Sequence, residues 1–92
     1  MPRERFQTLT EQMFYILLCL RQERCGMDIL DEVARMTEGR VTVGPGTLYN
    51  LLEQFDTAGM IRETRVDGRR RSYVITDRGL EALEKEYRRL CT

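Results

Sequence analysis

The stretch GPGTLYNLLEQFDTAGMI, Gly44 to Ile61, decides how the rest of the chain is read. Leu48, Leu51, Leu52 and Phe55 recur at the three- and four-residue steps of one helix face, while Thr47, Tyr49, Asn50, Glu53 and Gln54 fall on the rest of the barrel. Pro45 suits a first helical turn, where its missing N–H would be unpaired anyway, and Gly44 and Gly46 leave that turn without side chains. Gly59 stands where a left-handed residue ends a helix. Such a helix exposes N–H groups at an open N-terminus and is shaped to approach a phosphate or a base edge. On this helix alone two readings stay open: a recognition helix, or an ordinary surface helix behind a glycine-rich loop.

The next segment favours the first. Ile61 to Val66 and Arg69 to Ile75 read as short strands joined by Asp67-Gly68, a dipeptide suited to a type I′ hairpin turn. Arg62, Arg65, Arg69, Arg70 and Arg71 surround that turn against only Glu63 and Asp67, a local positive excess in a chain of formal net charge +0. Helix followed by basic hairpin is the order of a winged helix-turn-helix, with the hairpin as a phosphate-contacting wing. Near-zero total charge argues against indiscriminate polyanion binding, so nucleic-acid contact has to come from this patch.

With 92 residues, 41% apolar and 33% charged, the chain describes one small domain near the lower limit for a self-sufficient core, and a partner subunit is expected. There is no signal-peptide pattern, and the longest apolar run, Met13 to Leu20, is too short to span a membrane, so a cytoplasmic protein without a membrane partner is expected. Cys19, Cys25 and Cys91 show no CxxC spacing and the chain has no histidine, which leaves no zinc set and predicts three reduced thiols, Cys19 buried and Cys91 exposed. No cofactor is indicated. No Ser or Cys stands in a nucleophile setting and no phosphate-loop signature is present, so an enzyme is the weakest class.

Taken in order, Pro2 to Gln7 is a charged lead-in, with Phe6 and Leu9 available to pack on a neighbour. A first helix is expected from Thr10 to about Gln22, capped by Thr8 or Thr10. It is apolar over most of its circumference, which predicts one side on the core and Met13, Ile16 and Leu20 toward a dimer partner; a purely central core helix is the alternative. After a break at Cys25-Gly26, a second helix from about Met27 to Thr37 should turn Met27, Leu30, Val33 and Ala34 inward and Asp28, Asp31, Glu32 and Arg35 outward. Val41-Thr42-Val43 is a β-branched triplet expected to form a strand against the wing. Thr76-Asp77 should cap a last helix to about Leu90, whose stripe Leu80, Leu83, Tyr87 and Leu90 must cover something, by preference a second subunit. The expected architecture is mainly α with a small β-hairpin: a winged helix-turn-helix over residues 1–75 and a C-terminal dimerisation helix over 76–92.

From Leu9 to Leu90 the chain resembles the PadR family of bacterial transcriptional regulators. LTEQMFYILLCL, GMDILDEVARMTEGRVTVGPGTLYNLLEQFDTAGMI, DGRRRSYVITDRG and LEALEKE stand where that family has its first helix, helix-turn-helix, wing and C-terminal helix. The resemblance implies winged-helix dimers that bind inverted-repeat operators, usually repressing a nearby gene until a small molecule or other signal releases them. It implies Thr47, Tyr49 and Asn50 on the DNA face and Arg69, Arg70 and Arg71 in the wing. The chain departs from the family at Cys25-Gly26-Met27, where His-Gly-Tyr is common, in its short C-terminal region, and in having no tryptophan on which to stack an effector.

The expected partner is therefore double-stranded DNA, bound by a homodimer. Thr47 and Asn50 are placed for base edges, Tyr49 for a phosphate or as a brace, and the wing arginines for phosphates, with Arg40 as a further candidate. Phe6, Leu9, Met13, Leu80, Leu83, Tyr87 and Leu90 are the expected dimer residues. A small-molecule effector site lined by Phe6, Met13 and Tyr87 is an open alternative use of that interface. The other class for the whole chain is a protein-interaction module of the same fold, in which the arginines meet an acidic partner; acids ringing the tip of the Gly44–Gly59 helix, Glu53 and Asp56 among them, would favour it.

Overall fold

A computed structural model describes residues 10–91, with side chains to residue 89. In chain order the elements are α1 (Glu11–Cys19), β1 (Arg24–Cys25), α2 (Gly26–Met36), α3 (Pro45–Thr57), β2 (Ile61–Asp67), β3 (Arg70–Ile75) and α4 (Asp77–Cys91). Three helices and an antiparallel sheet ordered β1-β3-β2 enclose one core, and α4 lies over it against α1 and β3. Ile16, Leu17 and Leu20 meet Ile29 and Val33 of α2, Leu48, Leu52 and Phe55 of α3, and Ile61, Tyr73 and Ile75 of the sheet.

Thr10 caps α1: its backbone is extended and its hydroxyl accepts from Met13 N at 3.2 Å. Thr8 lies outside the described residues. The helix ends at Cys19, earlier than its apolar pattern runs, because its last carbonyls bond elsewhere. The Cys19 carbonyl accepts from Arg24 Nε at 2.9 Å and the Leu20 carbonyl from Ile75 N at 2.8 Å. Ile16 and Leu20 are fully buried, so the expected turn of those two toward a partner does not occur; the outer apolar side of α1 is Phe14 and Leu18.

The sheet has a third strand, and it is not the expected one. Arg24 and Cys25 pair with Tyr73 and Ser72, so the segment read as a break before α2 is β1. Val41 and Val43 instead point into the core. Thr37, the buried C-cap of α2, explains why: its Oγ1 donates to Val33 O at 2.9 Å and accepts from Val41 N at 3.0 Å, which supplies the partner a ladder would otherwise provide.

In α2, Met27 is 54% exposed rather than inward. The helix starts at Gly26, and its inner stripe runs Gly26, Ile29, Leu30, Val33, which leaves Met27 about 100° off that line. Gly26 itself is covered by Tyr49; a Cβ there would lie 2.8 Å from the Tyr49 hydroxyl. Helix α3 follows its sequence pattern closely: Gly44 is the N-cap, Pro45 the first residue, and Leu48, Leu51, Leu52 and Phe55 are buried, with Gly59 at φ +76° after the Ala58 C-cap.

The wing hairpin turns one residue later than expected. Asp67 pairs with Arg70, so the loop is Gly68-Arg69. Gly68 has φ +65° and Arg69 has no positive φ, the pattern of a type II′ turn rather than type I′. Between Glu63 and Arg65 the register shifts by one residue. Helix α4 is anchored by Thr76, whose Oγ1 accepts from Gly79 N at 3.2 Å and donates to Gly59 O at 2.6 Å. Its buried line is Gly79, Leu83 and Glu86, the last a buried carboxylate ion-paired with Arg89. Leu80 and Tyr87 stay 42% and 59% exposed beside that line.

Candidate nucleic-acid interface

The N-terminus of α3 is bare. Gly44, Pro45, Gly46 and Thr47 are exposed, no side chain caps the helix, and a Cβ at Gly44 or Gly46 would meet nothing within 4 Å. The first intrahelical bond is Leu48 N to Gly44 O at 2.9 Å, so the amides of Gly46 and Thr47 point outward at the positive end of the helix. Asn50 is exposed one turn on, its Oδ1 accepting only a long 3.5 Å bond from Gln54. Tyr49 is half-exposed and lies over Gly26 at the start of α2, so the bracing role weighed for it is physically occupied. Glu53 and Asp56 belong to the second half of α3, roughly 12 and 16 Å along the axis from Pro45 at 1.5 Å per residue, and do not ring its tip.

The wing carries exposed cations in unequal settings. Arg69 is in the turn. Arg70 reaches back toward α2, with Nη2 3.1 Å from Cys25 Sγ and 3.9 Å from Asp28 Oδ2; the thiol contact, then the neighbouring charges, push its pKa above the ordinary guanidinium value. Arg71 bonds Glu63 at 3.0 Å on the opposite face. Arg40, in the loop before α3, bonds Glu11 at 2.8 Å and the Tyr15 hydroxyl at 3.3 Å. Burial, with Glu63 adding, pushes the pKa of the Tyr73 hydroxyl up. Arg65 stands among the five arginines read around the turn but carries no assigned contact there, and its position depends on the register shift in β2, which nothing in the residue pattern signals. The Cys25–Asp28–Arg70 cluster was equally invisible, because it forms only when β1 pairs with β3.

Of the expected dimer residues, Phe6 and Leu9 and the Leu90 side chain lie outside what is described. Leu83 is buried in its own chain's core, and Met13 packs against that core. Leu80 and Tyr87 instead line an open groove of about 660 Å³ with Phe14 and Leu18, rimmed by Arg21, Asp77, Glu81 and Glu84. The open apolar surface between α1 and α4 therefore uses the α1 face neighbouring Met13.

Three helices with a β wing directly behind the exposed helix define the winged helix-turn-helix class. The family described as transcriptional regulator PadR-like matches residues 16–85, and the chain belongs to it. No curated protein sequence matches significantly. Among solved structures, H. salinarum RosR is 26% identical with TM-score 0.75, over 87% of this chain and 72% of that one. A PadR family transcriptional regulator from Eggerthella lenta is 24% identical with TM-score 0.72, over 87% of this chain and 74% of that one. Bacillus subtilis PadR, solved in complex with operator DNA, is 22% identical with TM-score 0.72, over 83% of this chain but only 47% of its own. Below 25% identity the last two bear on the fold alone.

Proposed function

We propose that this regulator binds an inverted-repeat operator as a homodimer and represses a nearby gene. The observation that carries the reading is the bare N-terminal turn of α3, with outward amides, beside a wing of exposed arginines. Thr47 and Asn50 read base edges in the major groove, and Tyr49 holds α3 against the start of α2. The loop before α3 and the wing lie on the side of the flanking backbone, with Arg69 at the wing's turn and Arg40, Arg70 and Arg71 behind it, held by Glu11, Asp28 and Glu63. Two subunits meet across the groove between α1 and α4, where Leu80 and Tyr87 lie exposed, and their α3 helices enter successive major grooves roughly 34 Å apart. Membership of the PadR-like family of transcriptional regulators supports the assignment of the partner. Binding DNA directly places the protein in the cytoplasm.

The test is selection of bound duplexes from a random pool at near-physiological salt, with the protein's mass in solution measured alongside. Recovery of an inverted repeat by a dimer is expected. Recovery of no motif by a protein that melts cooperatively would refute the reading and point to a protein partner for the same surface.

A further inference from the structure

The arginines near the proposed DNA face fall into two sets. Arg40, Arg70 and Arg71 each already have a carboxylate within 4.0 Å, from Glu11, Asp28 and Glu63 respectively. Among the described residues, no such partner stands beside Arg62, Arg65 or Arg69, all exposed. The difference for Arg65 is built by the irregularity in β2. Ile61 and Glu63 pair with Ile75 and Tyr73, and regular continuation would set Arg65 opposite Arg71, two like charges on one face. The register shift pairs Arg65 with Ser72 instead, on the other face of the ribbon, and leaves Glu63 diagonal to Arg71, where the two bond at 3.0 Å.

We infer that the wing's phosphate contacts are made by Arg65 and Arg69, while Arg40, Arg70 and Arg71 are internal braces that shape the surface without neutralising phosphate. This rests on the DNA-binding reading above and assigns the residues within it. An arginine that leaves its carboxylate for a phosphate exchanges one charge-assisted bond for another. It also strands a negative charge beside the DNA, where the phosphates repel it. Arg65 and Arg69 carry neither penalty. Arg70, bonded to Cys25 and Asp28, ties the wing to the start of α2 and so acts through the geometry of α3. Arg62 is unpaired but sits next to Ile61 at the base of the hairpin, three residues or roughly 10 Å from Arg65, about one Debye length at 0.1 M salt.

The experiment measures the dependence of duplex affinity on salt concentration for the full chain, using one duplex of fixed sequence. The variants are Arg65→Gln, Arg69→Gln, Arg62→Gln and the charge-conserving pair Glu63→Gln/Arg71→Gln. All sites are exposed, and far-UV circular dichroism melts confirm folding. Arg65→Gln and Arg69→Gln are each expected to flatten the log–log slope by about 0.9 per protomer, hence about 1.8 for a dimer. Arg62→Gln and the double variant should keep the wild-type slope. A double variant that flattens the slope as much as Arg65→Gln would overturn the division, as would equal flattening by Arg62→Gln. If the wild-type chain binds no duplex at any salt, the DNA reading falls and this assignment with it; unequal failures among variants of a binding protein strike the assignment alone.

Discussion

Gly79→Ala sets two effects of known sign against each other. Alanine is the better helix former by about 1 kcal/mol, and Gly79 is in the first turn of α4. Yet its Cβ would stand 2.1 Å from the Met60 carbonyl oxygen and 2.6 Å from Ile75 Cγ1, where carbon–oxygen contacts normally stay beyond about 3.3 Å. The obstruction is backbone, so α4 must lift by about 1 Å or more. That carbonyl also accepts Thr76 N at 2.9 Å, so lifting α4 disturbs the bond that seats the helix. Overpacking costs about 1–3 kcal/mol and a lost backbone bond about 1 kcal/mol, which together outweigh the propensity gain. The expected net loss is about 1–3 kcal/mol, at about 4–8 °C in Tm for each kcal/mol in a domain of this size. Gly46→Ala, also in the first turn of a helix but with nothing within 4 Å of its Cβ, isolates the propensity effect. It should be neutral or up to about 1 kcal/mol more stable than wild type. Urea unfolding followed by far-UV circular dichroism compares the two. If Gly79→Ala proves as stable as Gly46→Ala, the close seating of α4 on Met60 is wrong.

Thr37→Val keeps the shape but strips Val41 N of its buried acceptor, and a loss of about 1–3 kcal/mol is expected in the same assay, while Thr37→Ser should retain most of the stability. Burial pushes the Cys19 thiol from 9.0 up to about 11, so the folded state holds a proton that the unfolded chain releases. Its contribution is complete below pH 9 and disappears as pH rises to 11; wild type should lose about 3 kcal/mol more than Cys19→Ala across that window. Gly26→Ala would press on the exposed ring of Tyr49, which can swing away, so stability should change by less than about 1 kcal/mol while duplex affinity falls. In a double-mutant cycle, Tyr49→Ala should make that substitution cost little further affinity. Leu80→Glu in the α1–α4 groove should shift the mass in solution toward the monomer; an unchanged dimer would place the interface elsewhere.

Most of the fold was legible wherever a local rule had no competitor. The four-residue stripe of α3, Pro45 at its start and Gly59 at its end all agree with one another, and the structure follows them. Where residues distant in the chain compete for backbone bonds, local reading failed. β-branched Val41 and Val43 look like a strand, but Thr37 takes the Val41 amide and the core takes both side chains. Arg24 and Cys25 carry no strand signal, yet β3 offers an open edge and they fill it. The same limit applies at the candidate interface. Five arginines were visible near the turn, but which of them face a carboxylate depends on a one-residue register shift and on β1 placing Cys25 and Asp28 beside Arg70.

The bond from Ile75 N to the Leu20 carbonyl, together with β1 pairing on β3, fastens the root of the wing to the end of α1. Mechanically this makes α1 and the hairpin a lever with its fulcrum near Leu20. The arm from Ile75 to Arg70 is about 17 Å at 3.3 Å per residue, so a 5° tilt of α1 would carry the wing tip through about 1.5 Å. Phe14 and Leu18 on α1 also line the groove against α4, so the groove and the root of the wing share one helix.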